Sequence, residues 1–172
     1  MAVCALMKIS NAQGECKMEG EYKDKWIEVQ GWDWEVEAET SWTKGGGASV
    51  GKPNPGKMQW EHYFDRSSCT LLNYICSGAA FEEVELRMFK GTGGASLANN
   101  VFFKMQMKGA FITKVTNAAT EEGNISQKVE MVFKEVKIEY SMQEDGTKKG
   151  QIAGMLKPAG SYGWDIPGGK VS

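Results

Sequence analysis

The sequence predicts a mainly β fold: a compact antiparallel β-barrel with one short flanking α-helix and a long Gly-rich extended loop. Three observations lead there. Apolar and polar residues alternate over most of the chain, the alternation changes phase at two places, and one stretch alone has helical spacing with caps at both ends. The 172 residues fit one domain spanning 1–172. A chain of this length buries roughly 70% of the surface its unfolded form exposes, so it needs neither metal nor disulfides to build a core.

The clearest alternation runs from Phe81 to Phe89, where Val84, Leu86 and Met88 face one way and Glu83, Glu85 and Arg87 the other. A longer one covers Val101 to Phe111, with Val101, Phe103, Met105 and Met107 set against Lys104, Gln106 and Lys108. Gly109 inside that run predicts a bend or bulge. After Val129, Met131 and Phe133 the apolar phase moves by one to Val136, Ile138 and Tyr140, as an inserted bulge residue in one strand would make it. The same shift separates Ile27 and Val29 from Trp32 and Trp34, with Gly31 at the change. Two such kinks favour a curved sheet or barrel over a flat one.

Ser67 to Ser77 reads as the helix, with Asp65 or Ser67 as N-cap and Gly78 just past its end. Leu71, Leu72, Ile75 and Cys76 form its apolar face with Cys69 at the margin, a face suited to covering a mouth or flank of the barrel. Two stretches show no period. Residues 43 to 57 hold Gly45, Gly46, Gly47, Gly51, Gly56, Pro53 and Pro55, and residues 143 to 161 are rich in Gly and Lys. A loop as long as the first is uncommon in a compact domain and is usually functional.

Composition excludes several classes of function. The 20 basic and 22 acidic residues are evenly spread and leave a net charge of −2, without the basic stripe a phosphate backbone demands. No apolar run approaches the roughly 20 residues that span a bilayer. The start, Met1 to Ile9, is interrupted by Lys8 and lacks the features of a signal peptide, so synthesis in the cytoplasm and export, if any, by a dedicated device are expected. Cys4, Cys16, Cys69 and Cys76 show no C-x-x-C spacing, and the single histidine adds little as a further ligand. Free buried thiols in a reducing compartment are the expectation.

No active site emerges either. His62 alternates with Met58, Trp60 and Phe64 and reads as a strand residue with a hydrogen-bonded or wet tip, since no nucleophile motif accompanies it as a general base would require. Glu82, Glu83 and Glu85 read as a solvated face and not as a glycosidase pair. Gly91, Gly93 and Gly94 follow a strand but open no helix, so a hairpin loop is expected in place of a phosphate cradle. Trp26, Trp32, Trp34, Trp42 and Trp60 invite a sugar-stacking platform, but aromatic residues alternating in strands mostly pack across a sheet or on a neighbouring subunit.

The landmarks, taken in order, resemble the haemolysin-coregulated protein (Hcp) family, the inner-tube proteins of type VI secretion. They are Met1-Ala2-Val3 before a strand ending at Lys8-Ile9, Gly14-Glu15-Cys16 where the family often has Gly-Glu-Ser, and Lys25-Trp26-Ile27-Glu28-Val29 running into Trp32-Asp33-Trp34. Next come the Gly-rich stretch, Asp65-Arg66-Ser67-Ser68 with its short helix, the Phe133 to Tyr140 strand pattern and Tyr162-Gly163-Trp164. The likeness spans nearly the whole chain. Cys16 in place of serine and the absence of a histidine around Tyr22-Lys23-Asp24 are departures, and residues 144 to 160 are variable in the family.

The resemblance implies a non-enzymatic structural subunit without cofactors, assembled six to a ring. Rings would stack into a tube inside a contractile sheath and beneath a spike protein of the VgrG type. Sheath contraction would expel the tube to the exterior or into a target cell, with effectors carried or stabilised in the lumen. Within this reading Lys44, Gly45, Gly46, Gly47, Lys52 and Lys57 of the Gly-rich loop are the expected ring-stacking residues. Neither nucleic acid nor membrane insertion is expected. The alternative is a monomeric β-barrel module that binds a carbohydrate or a small apolar ligand.

Overall fold

In the computed structural model, which describes residues 3–43, 46–90, 100–143 and 156–172, the alternating segments pair as antiparallel strands. In chain order they are β1 (Val3–Ile9), β2 (Ile27–Asp33), β3 (Val36–Thr43), β4 (Gly47–Pro55), β5 (Met58–Tyr63), β6 (Ala80–Lys90), β7 (Val101–Ala119), β8 (Ile125–Val132), β9 (Glu135–Gln143), β10 (Leu156–Asp165) and β11 (Lys170–Val171). Helix α1 (Arg66–Ser77) lies between β5 and β6. Strands β7, β6, β1, β2, β5 and β8 neighbour one another in that order, and β8 pairs back onto β7, which closes a six-stranded barrel.

Side chains fill the barrel. Met7, Ile27, Met58, Leu86, Met105, Met107, Val129 and Met131 belong to one buried cluster together with Trp60. The unbranched methionines fit the irregular space between two curved walls.

Strand β7 does double duty. Phe103 to Lys108 pair with β9, whereas pairing with β8 begins at Phe111. The change of partner happens at Gly109, whose φ of 63° bends the strand. Beyond β9 the sheet continues through β10 to β11 as a wing outside the barrel.

One phase shift is a bulge as expected: the β2–β5 register slips between Val29 and Gly31. The other is not. Phe133 and Lys134 separate two strands, β8 and β9, that pair with successive halves of β7. A short break and an inserted residue displace the alternation equally, which is why the sequence pattern reads as one bulged strand.

The helix obeys its caps. Asp65 Oδ1 accepts the Ser67 N–H at 2.9 Å, Ser68 Oγ accepts the Asp65 N–H at 3.0 Å, and Gly78 closes the end at φ 68°. Leu71 is buried and Tyr74 stacks on Phe81 at 4.0 Å. Cys69 and Cys76 are exposed on α1, contrary to the expectation of buried thiols. The helix turns Leu71, Tyr74 and Ile75 inward and leaves the two cysteines outside.

A second, smaller core lies on the outer face of β1 and β6. Leu6 and Phe89 meet Cys16, Tyr22 and Trp26 from the segment between β1 and β2. Arg87 ties this cover down: it donates to Glu85 Oε1 at 2.6 Å and to Tyr22 Oη at 2.9 Å, and its guanidinium sits 4.8 Å from the Trp26 ring. Glu85 is therefore 9% exposed and ion-paired, with Lys104 Nζ also at 3.4 Å, and not part of a solvated face. The covering segment has no apolar period, so alternation alone assigns that face to water.

Candidate assembly surfaces

The Gly-rich extended loop takes the form of a two-stranded ribbon, with Gly47 to Pro55 paired along Val36 to Thr43. Gly47 enters β4 with φ 87°, a left-handed conformation that glycine adopts without strain. The base is clamped. Trp34 Nε1 donates to the Gly56 carbonyl at 3.2 Å, the Gly56 N–H donates to the Glu35 carbonyl at 2.8 Å, and the Trp34 ring packs on Phe133. A Cβ on Gly56 would come 2.6 Å from the Glu35 oxygen, so the close approach requires glycine.

Beyond that base the ribbon forms a sheet of its own, and its described side chains are exposed. Directly opposed residues share a face. Val36 opposes Pro55, Ala38 opposes Pro53 and Thr40 opposes Val50, which makes one face apolar. Glu37 opposes Asn54, and Ser41 opposes and hydrogen-bonds Ser49, which makes the other polar. Val50 is 71% exposed and Val36 46%. A two-stranded ribbon in water is marginal by itself, and among the described residues nothing buries Val36 or Val50 of its apolar face.

The predicted loop residues divide accordingly. Gly46 lies in the turn and Gly47 starts β4, both exposed. Lys52 sits in the bulge of β4 opposite Glu39, where the register slips between Ala38 and Thr40. Lys57 is at the base, with its Nζ 3.7 Å from Glu130 Oε2 of β8. Lys44 and Gly45 lie outside the described residues. Sequence reading placed Pro53 and Pro55 in the loop but missed Val36 and Val50, and with them the apolar face that all four form. Their signal was the alternation of Val36, Ala38 and Thr40, which gains meaning only once β4 is laid against it.

The wing offers a second surface. Strand β10 pairs with β9 on one side, while on the other β11 meets only Trp164 and Asp165, with Gly163 and Ser172 exchanging backbone hydrogen bonds next to them. Among the described residues, Leu156 to Tyr162 have no strand on that edge. An unpaired edge is a template for a strand of another chain, and Pro158 with the register slip before Gly160 interrupts it in the middle. Tyr140 and Met142 on β9 are also largely exposed.

The groups considered for chemistry are dispersed or engaged. His62 is fully buried, its Nε2 2.8 Å from Gln127 Oε1, while Gln127 Nε2 donates to Asn117 Oδ1. That orientation of Gln127 puts the imidazole proton on Nε2 and leaves Nδ1 bare, 3.9 Å from Asp65 Oδ1. Burial lowers the imidazole pKa, opposed by the Gln127 hydrogen bond and the Asp65 charge. Trp26 and Trp60 belong to different buried clusters, Trp32 stacks on Phe103 and Trp34 packs on Phe133, so these four rings form no common platform. The Trp42 side chain and the glycines Gly91, Gly93 and Gly94 lie outside what is described; the strands that those glycines join are antiparallel neighbours.

Among the described residues, no three His, Cys, Asp or Glu side chains gather as a metal ion needs, and no helix is long and apolar enough to cross a membrane.

Residues 6–140 match the family model described as "Type VI secretion system effector, Hcp". No curated protein matches the sequence. Among solved structures, Hcp1 from Salmonella typhimurium is 26% identical and aligns over the whole of both chains with a TM-score of 0.74. A structure described as a type six secretion system protein is 22% identical, covers 99% of this chain and 100% of its own, and superposes with a TM-score of 0.85. A type VI secretion system effector from Yersinia pestis is 21% identical over 94% of this chain and 99% of its own, with a TM-score of 0.63.

Proposed function

Since the chain belongs to the type VI secretion system Hcp family, we propose that it is a tube-building subunit that closes into hexameric rings, and that the rings stack. The observation that carries this reading is the β3–β4 ribbon, which rests on a clamped base and, among the described residues, leaves Val36 and Val50 of its apolar face exposed. A surface of that kind is stable in water when another subunit covers it. The bare edge of β10 supplies a second contact, and head-to-tail contacts around one axis close a ring.

In this reading the ribbon serves the stacking of one ring on the next. Six subunits at −2 give a ring of −12, so stacking works against like charge. Lys44 and Lys52 offset it by meeting acidic groups of the facing ring, a weak and screened effect repeated around the axis. Lys57 is already engaged by Glu130 and contributes less. The tube would lie within a contractile sheath and beneath a spike protein of the VgrG type, be expelled by sheath contraction, and carry or stabilise effectors in its lumen. A barrel interior packed with the side chains of its own core favours this role over that of a ligand-binding module.

Electron microscopy of a Lys44→Glu, Lys52→Glu, Lys57→Glu variant tests the stacking role. Hexamers that no longer grow into tubes or support secretion are the expected result. Monomers would assign the ribbon to ring closure, and normal tubes would remove it from assembly.

A further inference from the structure

Two of the four cysteines belong to the outer core beneath the 10–26 segment. Cys16 is buried there, and Cys4, in the first strand, packs against the same cluster. Cys4 is the cross-strand partner of Phe89, and Phe89 packs edge-on to Tyr22, which in turn meets Trp26. The backbone of Cys16 is fixed next to them: its N–H donates to the Trp26 carbonyl and its carbonyl accepts from Asp24. Leu6, two residues beyond Cys4 on the same face, opposes Glu28, whose Oε1 accepts the N–H of Lys17, the residue after Cys16. Cys4 from β1 and Cys16 from the covering segment thus border the same small cluster.

We propose that Cys4 and Cys16 form a disulfide under oxidising conditions, a covalent lock that pins the covering segment to the first strand. Their unequal exposure sets the order of events. Cys4 is half-buried and open to a small-molecule disulfide, whereas Cys16 is 1% exposed. The Cys4 thiolate attacks the oxidant, forms a mixed disulfide and releases one thiolate. The Cys16 thiolate then attacks Cys4 Sγ and expels the second. The two cysteines lose two electrons, the oxidant gains them, and the two protons they release protonate the expelled thiolates.

Burial raises both thiol pKa values, and the charge of Glu28 adds to this. The lock would therefore form slowly at neutral pH and resist reduction, because high-pKa thiols are poor leaving groups. Those are properties of a structural bond and not of a catalytic one. Formation outside the reducing cytoplasm follows from the secretion reading, whereas the pairing itself does not depend on it.

The test needs the full chain and no secretion machine. A Cys69→Ser, Cys76→Ser variant removes the exposed thiols of α1, and wild type runs beside it. Each is reduced, treated with oxidised glutathione, unfolded, alkylated and examined by intact mass and peptide mapping. The expected result is a loss of about 2 Da, a linked Cys4–Cys16 peptide, and a melting temperature higher by roughly 5–10 °C. Cys4→Ser or Cys16→Ser should abolish the mass loss and the thermal gain. The proposal is overturned if Cys4 stops at the mixed disulfide with glutathione, or if both cysteines remain alkylatable after oxidation.

Discussion

His62 is a buried base in an acid-sensitive position. Nε2 is committed to Gln127, and Nδ1 faces the same Asp65 oxygen that caps α1. Burial lowers its pKa from the ordinary 6.5, so below that value the unfolded chain binds a proton that the folded chain resists. Stability is consequently full above pH 6.5 and falls as pH drops toward the lowered folded-state value. One such group accounts for at most about 1.4 kcal/mol per pH unit. Urea unfolding between pH 7.5 and 5 should show this decline, and His62→Gln should flatten it; an unchanged slope in the variant would place the acid sensitivity elsewhere. That His62 is a strand residue was legible from its alternation with Met58 and Trp60, which left open whether its tip is hydrogen-bonded or wet; the structure buries it against Gln127. Its partners were not legible, because Gln127 arrives from β8 and Asp65 from the start of the helix.

At the scale of elements, the bend at Gly109 marks where β7 leaves β9 and takes up β8, the pairing that closes the barrel. A side chain there must adopt φ 63° and would sit 3.1 Å from Lys134 Cδ. Gly109→Val is expected to cost roughly 1–3 kcal/mol, read as a lower midpoint in chemical denaturation. Gly31→Ala, at the other bulge, meets open space and should cost well under that. Equal losses at the two sites would show that the bend is not special.

The ribbon gives a second expectation at this scale. Val50→Glu puts a charge on its apolar face, away from the core, so the fold should keep its melting temperature while tubes shorten or disappear. Tubes of normal length would mean that this face is not covered in the assembly. Helix α1 and the Gly31 bulge were legible because caps and phase changes are local signals. The ribbon was not, because its apolar face is assembled from small residues and prolines on two strands, neither of which has a strong period alone. The covering segment around Cys16, Tyr22 and Trp26 escaped for a related reason: its contacts follow from where the chain passes and not from any repeat.

For the whole molecule, alternation, helix caps and the order of motifs carried the fold class and the family, since each fixes which way a segment faces. Where surfaces meet other chains is a question of edges and projections, which exist only after the barrel has closed. Among the described residues, the exposed apolar face of the ribbon and the unpaired edge of β10 carry the proposed assembly, the edge within a ring and the ribbon between rings. Apolar burial rather than surface charge should hold that ring together, so high salt should leave it intact. Size-exclusion chromatography with light scattering at micromolar concentration tests this most directly. A mass near 114 kDa, six times the 19.0 kDa of one chain, is the expected result in both low and high salt; a 19.0 kDa monomer would contradict the account.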